Sequence, residues 1–241
     1  MKRTKIAWVK NNDGSQGYTW NPVTGCRHGC GYCYARGIAK RFGRSPEEKA
    51  FKPMFWHDRI SQPNSQQKPS TIFVCSMADL FGVWAPEWWI SGVLKTVKET
   101  PWHTYIFLTK NGYRMADEGD VINTKNAWYG QTCTGISGRA VWDIPNGRSF
   151  LSLEPLLGDW LPDLQFLHIK WVIIGSLNKN GNPVPPEYGG TKKEWVVSIL
   201  SAAEKYKIPV FVKPELYRLY PDLPPRQEVP YLQDWKGRQN A

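Results

Sequence analysis

The stretch Thr24–Gly37, TGCRHGCGYCYARG, places three of the chain's five cysteines within eight residues, at the spacing Cys26-x3-Cys30-x2-Cys33. A tetrahedral structural zinc site needs four soft ligands, and these usually arrive as two pairs far apart in sequence. No second pair follows here, since Cys75 and Cys133 stand alone on different expected strand ends. His28 lies inside the loop, but ring and thiolates crowd one another there, and a Cys–His–Cys–Cys closure is cramped. A [4Fe–4S] cluster held by three thiolates instead leaves one iron open to a substrate or cofactor. Gly25, Gly29 and Gly31 suit that task, because the backbone must bend around the cluster and aim N–H groups at its sulfides. Structural zinc and catalytic zinc are the alternative readings of the same spacing.

Around this loop the chain repeats a rhythm of short apolar, β-branched runs, each followed by turn or polar residues. The runs are Thr71–Cys75, Thr104–Thr109, Ala127–Gln131, Ser149–Leu153, Trp171–Gly175 and Pro209–Lys213. Near-continuous apolarity over four to six residues fits strands covered on both faces, as in parallel sheets. Helical patterns lie between several of them. In Glu87–Lys98, Ile90, Val93, Leu94 and Val97 share one face behind Pro86. Thr191–Lys207 opens with a capping box, Thr191-x-x-Glu194, and continues with Trp195, Val196, Ile199, Leu200 and Ala203 on one stripe. Shorter helices are expected at Tyr34–Phe42 and Ile136–Trp142.

This alternation predicts an α/β fold, either an open doubly wound sheet or a partial (β/α) barrel of about six or seven parallel strands. Residues 43–70, rich in Pro, Gln, Ser and Lys, read as an irregular insertion. Residues 218–241 read as a Pro-rich tail, draped over the surface or partly loose. At 241 residues, the sequence is expected to form a single domain over 1–241.

A formal net charge of +10 favours phosphate-bearing partners. Thirteen tryptophans supply mostly core aromatics, with base stacking open to some. The start, MKRTKIAWVKNNDG, has no apolar stretch behind its basic residues, and no run of about 18 apolar residues follows anywhere, so neither a signal peptide nor a membrane span is expected. An odd cysteine count fits a cytoplasmic protein whose thiols serve as ligands or catalysts.

The signature Cys26-x3-Cys30-x-Tyr32-Cys33, with an aromatic residue before the third cysteine, resembles that of radical S-adenosylmethionine (SAM) enzymes. The segments TWNPVTGCRHGCGYCYA, IFVCSMADLF, IFLTK, FLSLEPLLG and WVIIG stand in the order seen in phage and prophage radical SAM proteins of unassigned function. The resemblance implies a full or partial barrel with the cluster loop after the first strand, around Tyr18–Pro22. It also implies a [4Fe–4S] cluster on Cys26, Cys30 and Cys33 and bound S-adenosyl-L-methionine. Reductive cleavage of SAM would give a 5′-deoxyadenosyl radical, with the electron coming from an external donor such as flavodoxin or ferredoxin. Charge and resemblance together suggest a nucleotide or DNA base as substrate, for instance an amino-acid adduct on thymidine in phage DNA hypermodification, an isomerase-type reaction in host cytoplasm. Repair of a modified base, as in spore photoproduct lyase, is a sibling reading. A peptide or small-metabolite substrate, and a non-catalytic zinc- or cluster-stabilised nucleic-acid-binding module, are the alternatives.

Within that resemblance, Ser76 and Asp79 occupy the place of the segment that binds the SAM amino group, although the letters differ. Tyr32 is expected against adenine, and Gln131 and Thr132 at ribose hydroxyls. Ser152 and Glu154 end the fifth strand as cofactor-site candidates, and because a carboxylate in so apolar a segment is costly unless paired, Glu154 is also the catalytic candidate among the acids. Lys110 and Lys213 follow two strands at equivalent places, where either can meet a carboxylate or phosphate. Cys75 and Cys133 are core thiols or, if they face the site, hydrogen-atom donors. His57, His103 and His168 carry no recognisable partner pattern and read as structural.

Overall fold

The computed structural model describes residues 1–42, 51–122, 124–135, 148–159 and 169–232. The chain divides into two compact units, Met1–Trp128 and Tyr129–Ala241.

In the first unit, strands β1 (Lys2–Arg3), β2 (Tyr18–Trp20), β5 (Thr71–Val74) and β6 (Thr104–Thr109) lie side by side in that order. β1 runs antiparallel to β2, whereas β2, β5 and β6 are parallel, with Trp20 opposite Val74 and Phe73 opposite Ile106. Every residue of β5 is buried, as the unbroken apolar run requires. Helix α1 (Tyr34–Phe42) follows the thiol loop, and α2 (Glu87–Glu99) joins β5 to β6. The expected stripe of α2, Ile90, Val93, Leu94 and Val97, is fully buried. A short helix, α3 (Gly112–Asp117), leaves β6, its Asn111 side chain accepting the Arg114 N–H.

A two-stranded ladder, β3 (Val23–Thr24) with β4 (Met54–Phe55), binds the thiol loop to the stretch expected to be irregular. The described part of that stretch is ordered by specific bonds. Trp56 donates its N–H to the Pro22 carbonyl at 2.7 Å and its indole Nε1–H to Thr24 Oγ1 at 2.8 Å. Two-residue strands and 3₁₀ turns at His57–Arg59 and Gln62–Ser65 are too short to leave a periodic signature.

The second unit carries β7 (Ala127–Thr132, its residues from Tyr129 on), β8 (Ser149–Leu153), β9 (Trp171–Ile174) and β12 (Val210–Val212), in that order and all parallel. With β2, β5 and β6, seven strands lie in parallel ladders among the described residues, in line with the six or seven expected. A small hairpin pairs β10 (Asn178–Lys179) with β11 (Asn182–Pro183). Helix α4 (Lys193–Lys205) packs Val196, Ile199, Leu200 and Ala203 against Leu151, Leu153, Val172, Ile174, Val210 and Val212. A last short helix, α5 (Pro214–Leu219), follows β12.

One expectation changes here. The capping box is absent: α4 begins at Lys193 behind Lys192, and the buried Thr191 hydroxyl donates to the Leu156 carbonyl at 2.7 Å. The tail, up to residue 232, lies largely exposed on the surface, as expected, but is pinned at particular points. Val212 donates to the Arg226 carbonyl at 2.7 Å, Glu228 donates to the Val210 carbonyl at 3.0 Å, and Tyr231 packs edge-on against Trp171. A buried tyrosine and a few strand-like bonds give no period to read. The expected helix Ile136–Trp142 and His168 lie outside the described residues.

Candidate functional site

The thiol loop begins where β3 ends. Gly25 has φ +86°, and a Cβ there would meet the Lys52 carbonyl oxygen at 2.2 Å, so only glycine fits. Its N–H donates to the Met77 carbonyl at 2.9 Å, and the Cys26 N–H donates to the Phe51 carbonyl at 3.1 Å. The loop is thus wedged between the 51–52 segment and the turn after β5.

Cys26, Cys30 and Cys33 are partly exposed and form no disulfide. Burial pushes the Cys26 thiol up to about 11, with Asp79, Cys33 and Cys30 adding to the rise and the His28 N–H opposing it. The Arg36 N–H donates to Cys33 Sγ at 3.4 Å. Among the described residues, no three Cys, His, Asp or Glu side chains converge into a preformed metal cage, and these thiols are no exception. The donor set nevertheless fits an iron–sulfur cluster: three soft sulfurs in one glycine-rich loop, with an amide N–H already directed at one of them.

The fourth candidate ligand, His28, is held at one of its two ring nitrogens. His28 Nε2 lies 2.7 Å from Asp79 Oδ2, and its ring stands edge-on to Trp84. Asp79 also accepts from Thr109 Oγ1 at 2.6 Å, from the Lys110 N–H at 2.9 Å and from the Phe81 N–H at 3.1 Å. These four donors occupy the lone-pair sites of one buried carboxylate. No further donor can reach Asp79 without displacing one of them. The Ser76 hydroxyl donates to Asn21 Oδ1 at 3.2 Å. Lys110 Nζ donates to the Tyr32 hydroxyl at 2.9 Å and lies 5.3 Å from that ring's centre. Burial raises the Tyr32 phenol, and Lys110 holds that rise back. The structure therefore brings Tyr32, Asp79 and Lys110 to the thiol loop, with Ser76 tied back to Asn21. Sequence reasoning missed His28 and Asn21 as partners, and the only signal for His28 was its place between two cysteines.

Cys75, at φ +55°, is buried below this region, and burial pushes its thiol up to about 12. A thiol so held stays protonated and behaves as core.

The second unit holds the remaining candidates. Lys213 sits between two carboxylates, paired with Glu154 and 3.0 Å from Glu215 Oε1. Burial alone would lower the Lys213 ammonium, but Glu154 and Glu215 outweigh it and hold the group above the ordinary lysine value. Asn178 Nδ2 donates to Glu215 Oε1 at 3.2 Å. A Cβ on Gly175 would meet Glu154 Cγ and Lys213 Cδ at 2.9 Å, which places all three residues on one face. Thr132 and Ser152 are opposite each other in the β7–β8 ladder, while Gln131 is opposite Leu151. Side chains alternate along strands, so Gln131 points away from Thr132 and Ser152, toward the side of the apolar cluster that includes Leu151 and Cys133. Both Ser152 Oγ and Gln131 Oε1 are buried without a hydrogen-bond partner among the described residues. Such atoms are costly unless something bonds them.

The model of a family described as "Protein of unknown function (DUF5131)" matches residues 3–215. The chain belongs to the DUF5131 family. No curated protein matches the sequence of this DUF5131 member. Its fold is similar to that of spore photoproduct lyase complexed with dinucleoside spore photoproduct, with TM-score 0.50 and 10% identity over 91% of this chain and 76% of that one. A single-residue mutant of spore photoproduct lyase gives TM-score 0.51 at 10% identity, over 88% and 78% of the two chains. The likeness establishes the α/β architecture. Among the described residues, no helix of this DUF5131 chain is long and apolar enough to cross a membrane.

Proposed function

We propose that this chain is a radical SAM enzyme acting on a nucleotide or a DNA base, with Cys26, Cys30 and Cys33 holding a [4Fe–4S] cluster. One observation carries the reading: the loop offers three thiols and no fourth cysteine, and three thiolates leave one iron of a [4Fe–4S] cluster open to a small molecule. When bound, the cluster and SAM supply an electron and a carbon-centred radical able to abstract hydrogen. The chain's own residues bind and orient. Lys110 and Tyr32 offer an ammonium and a ring beside the thiols. Ser152 Oγ is a buried, unbonded acceptor that a ribose hydroxyl would satisfy, whereas Gln131 faces the opposite side of the sheet. Lys213 stays charged and, flanked by Glu154 and Glu215, presents a net negative cluster that favours hydrogen-bond donors over anions. A base or nucleotide substrate is supported by the net charge of +10 and by the likeness of the fold to an enzyme solved with a dinucleoside photoproduct.

The test is anaerobic reconstitution with iron and sulfide, followed by SAM and a reductant. The expected result is a brown protein with about four irons per chain that forms 5′-deoxyadenosine, and Cys30→Ala losing both properties while remaining folded. A colourless, zinc-loaded protein without SAM cleavage would overturn the reading in favour of a structural thiol site. Binding to single-stranded DNA, duplex DNA and mononucleotides over a salt series then sorts the substrate class. A steep salt slope marks several phosphate contacts, and a flat one removes polymeric nucleic acid.

A further inference from the structure

We propose that Asp79 is a positioning residue for the thiol loop, anchoring it through the His28 side chain. This rests on the reading of Cys26, Cys30 and Cys33 as ligands.

The anchor is built before the loop reaches it. Asp79 is 6% exposed, and three of its four donors, Thr109 Oγ1, the Lys110 N–H and the Phe81 N–H, come from the end of β6 and from its own turn. These bonds fix the carboxylate in place. The remaining acceptor position receives His28, which lies 51 residues away in sequence. Trp84 meets the imidazole ring edge-on at 4.8 Å, so the ring is held from a second side. His28 has Cys26 two residues before it and Cys30 two residues after it. Fixing the side chain therefore fixes the backbone midway between two of the thiols.

The next residue, Gly29, has φ +70° and open space where a Cβ would be. Such a residue gives the loop wide backbone freedom. Without the anchor, that freedom would have to be lost when metal binds. Partners behind metal ligands typically change affinity about 10- to 100-fold when removed. The same scale is expected for this pair.

The probe is Co2+ titrated anaerobically into the full-length metal-free chain, read by thiolate-to-cobalt absorption. Wild type is expected to bind cobalt through its thiolates. His28→Ala and Asp79→Asn should each weaken binding about 10- to 100-fold, with the absorption per bound cobalt unchanged. The double variant should bind no more weakly than either single variant, because both break one link. Asp79→Asn keeps an acceptor for Thr109 and Phe81, and the His28 side chain is 24% exposed, so the second variant tests the idea even if the first is unstable. Wild-type affinity in His28→Ala, or additive losses in the double variant, would overturn the proposal. So would a changed ligand-field spectrum in His28→Ala, since it would make the imidazole a ligand. Absence of any thiolate band in wild type would instead overturn the ligand set itself.

Discussion

Replacing Lys213 by Met should destabilise the second unit strongly, because the lysine charge separates the two carboxylates it touches. Its side chain is 17% exposed, with Glu215 Oε1 at 3.0 Å and Glu154 in direct contact. Removing one partner of a fully buried ion pair costs about 3–5 kcal/mol. The Glu154 side chain retains 29% of its surface, and solvent screening reduces the loss to about 2–3 kcal/mol. For unfolding of a chain this size, that corresponds to about 5–10 °C in Tm. The deficit has a pH signature. The Lys213 ammonium is held above the ordinary lysine value, so its contribution is complete below that value and is lost as pH rises through the higher folded value. The difference between wild type and Lys213→Met is therefore flat around neutrality and shrinks in strong alkali. Neutralising all three groups, Glu154→Gln with Lys213→Met and Glu215→Gln, should recover part of the loss, since no carboxylate is then left uncompensated. Thermal unfolding followed by circular dichroism measures each variant. A Tm for Lys213→Met within about 1 °C of wild type, or a triple variant less stable than the single, would refute the reasoning.

Asn126 donates its amide to the carbonyls of Val97, Thr100 and His103 at 3.0–3.2 Å in a buried site. Asn126→Ala should cost about 1–3 kcal/mol, and Asn126→Asp more, since it turns an acceptor toward three acceptors; urea titration checks the order, and an equal or smaller loss in Asp would count against it. Burial lowers the His103 ring below its ordinary value, and the ring accepts the Ser70 N–H at Nδ1 and donates from Nε2 to the Pro63 carbonyl. The folded state favours the neutral ring, so stability should fall as pH drops below about 6.5. His103→Gln should flatten that acid limb in unfolding curves collected across pH.

What was legible in the sequence follows from what side chains do locally. The runs Thr104–Thr109 and Ser149–Leu153 match strands residue for residue, because burial on both faces leaves an unbroken apolar string. The α2 stripe was equally plain, since four apolar residues at helical spacing admit one face. β1 was invisible: Lys2 and Arg3 are exposed and join the sheet by a two-residue antiparallel pairing with no apolar run to mark it. The capping box at Thr191 was a local pattern overruled by a carbonyl 35 residues away. The site divides the same way. The thiols could be read because their spacing is their chemistry. The bond between His28 and Asp79 could not, because only the pairing of β2 with β5 and of β5 with β6 brings those segments together.

Gly25 rests against the Lys52 carbonyl with no room for a side chain, and Cys26 hangs from the Phe51 carbonyl. The polar, proline-bearing stretch that looks most expendable in this chain is thus the floor on which the cysteines stand. Anyone shortening the protein, or transplanting its eight-residue cysteine cassette to another scaffold, would have to carry that floor along.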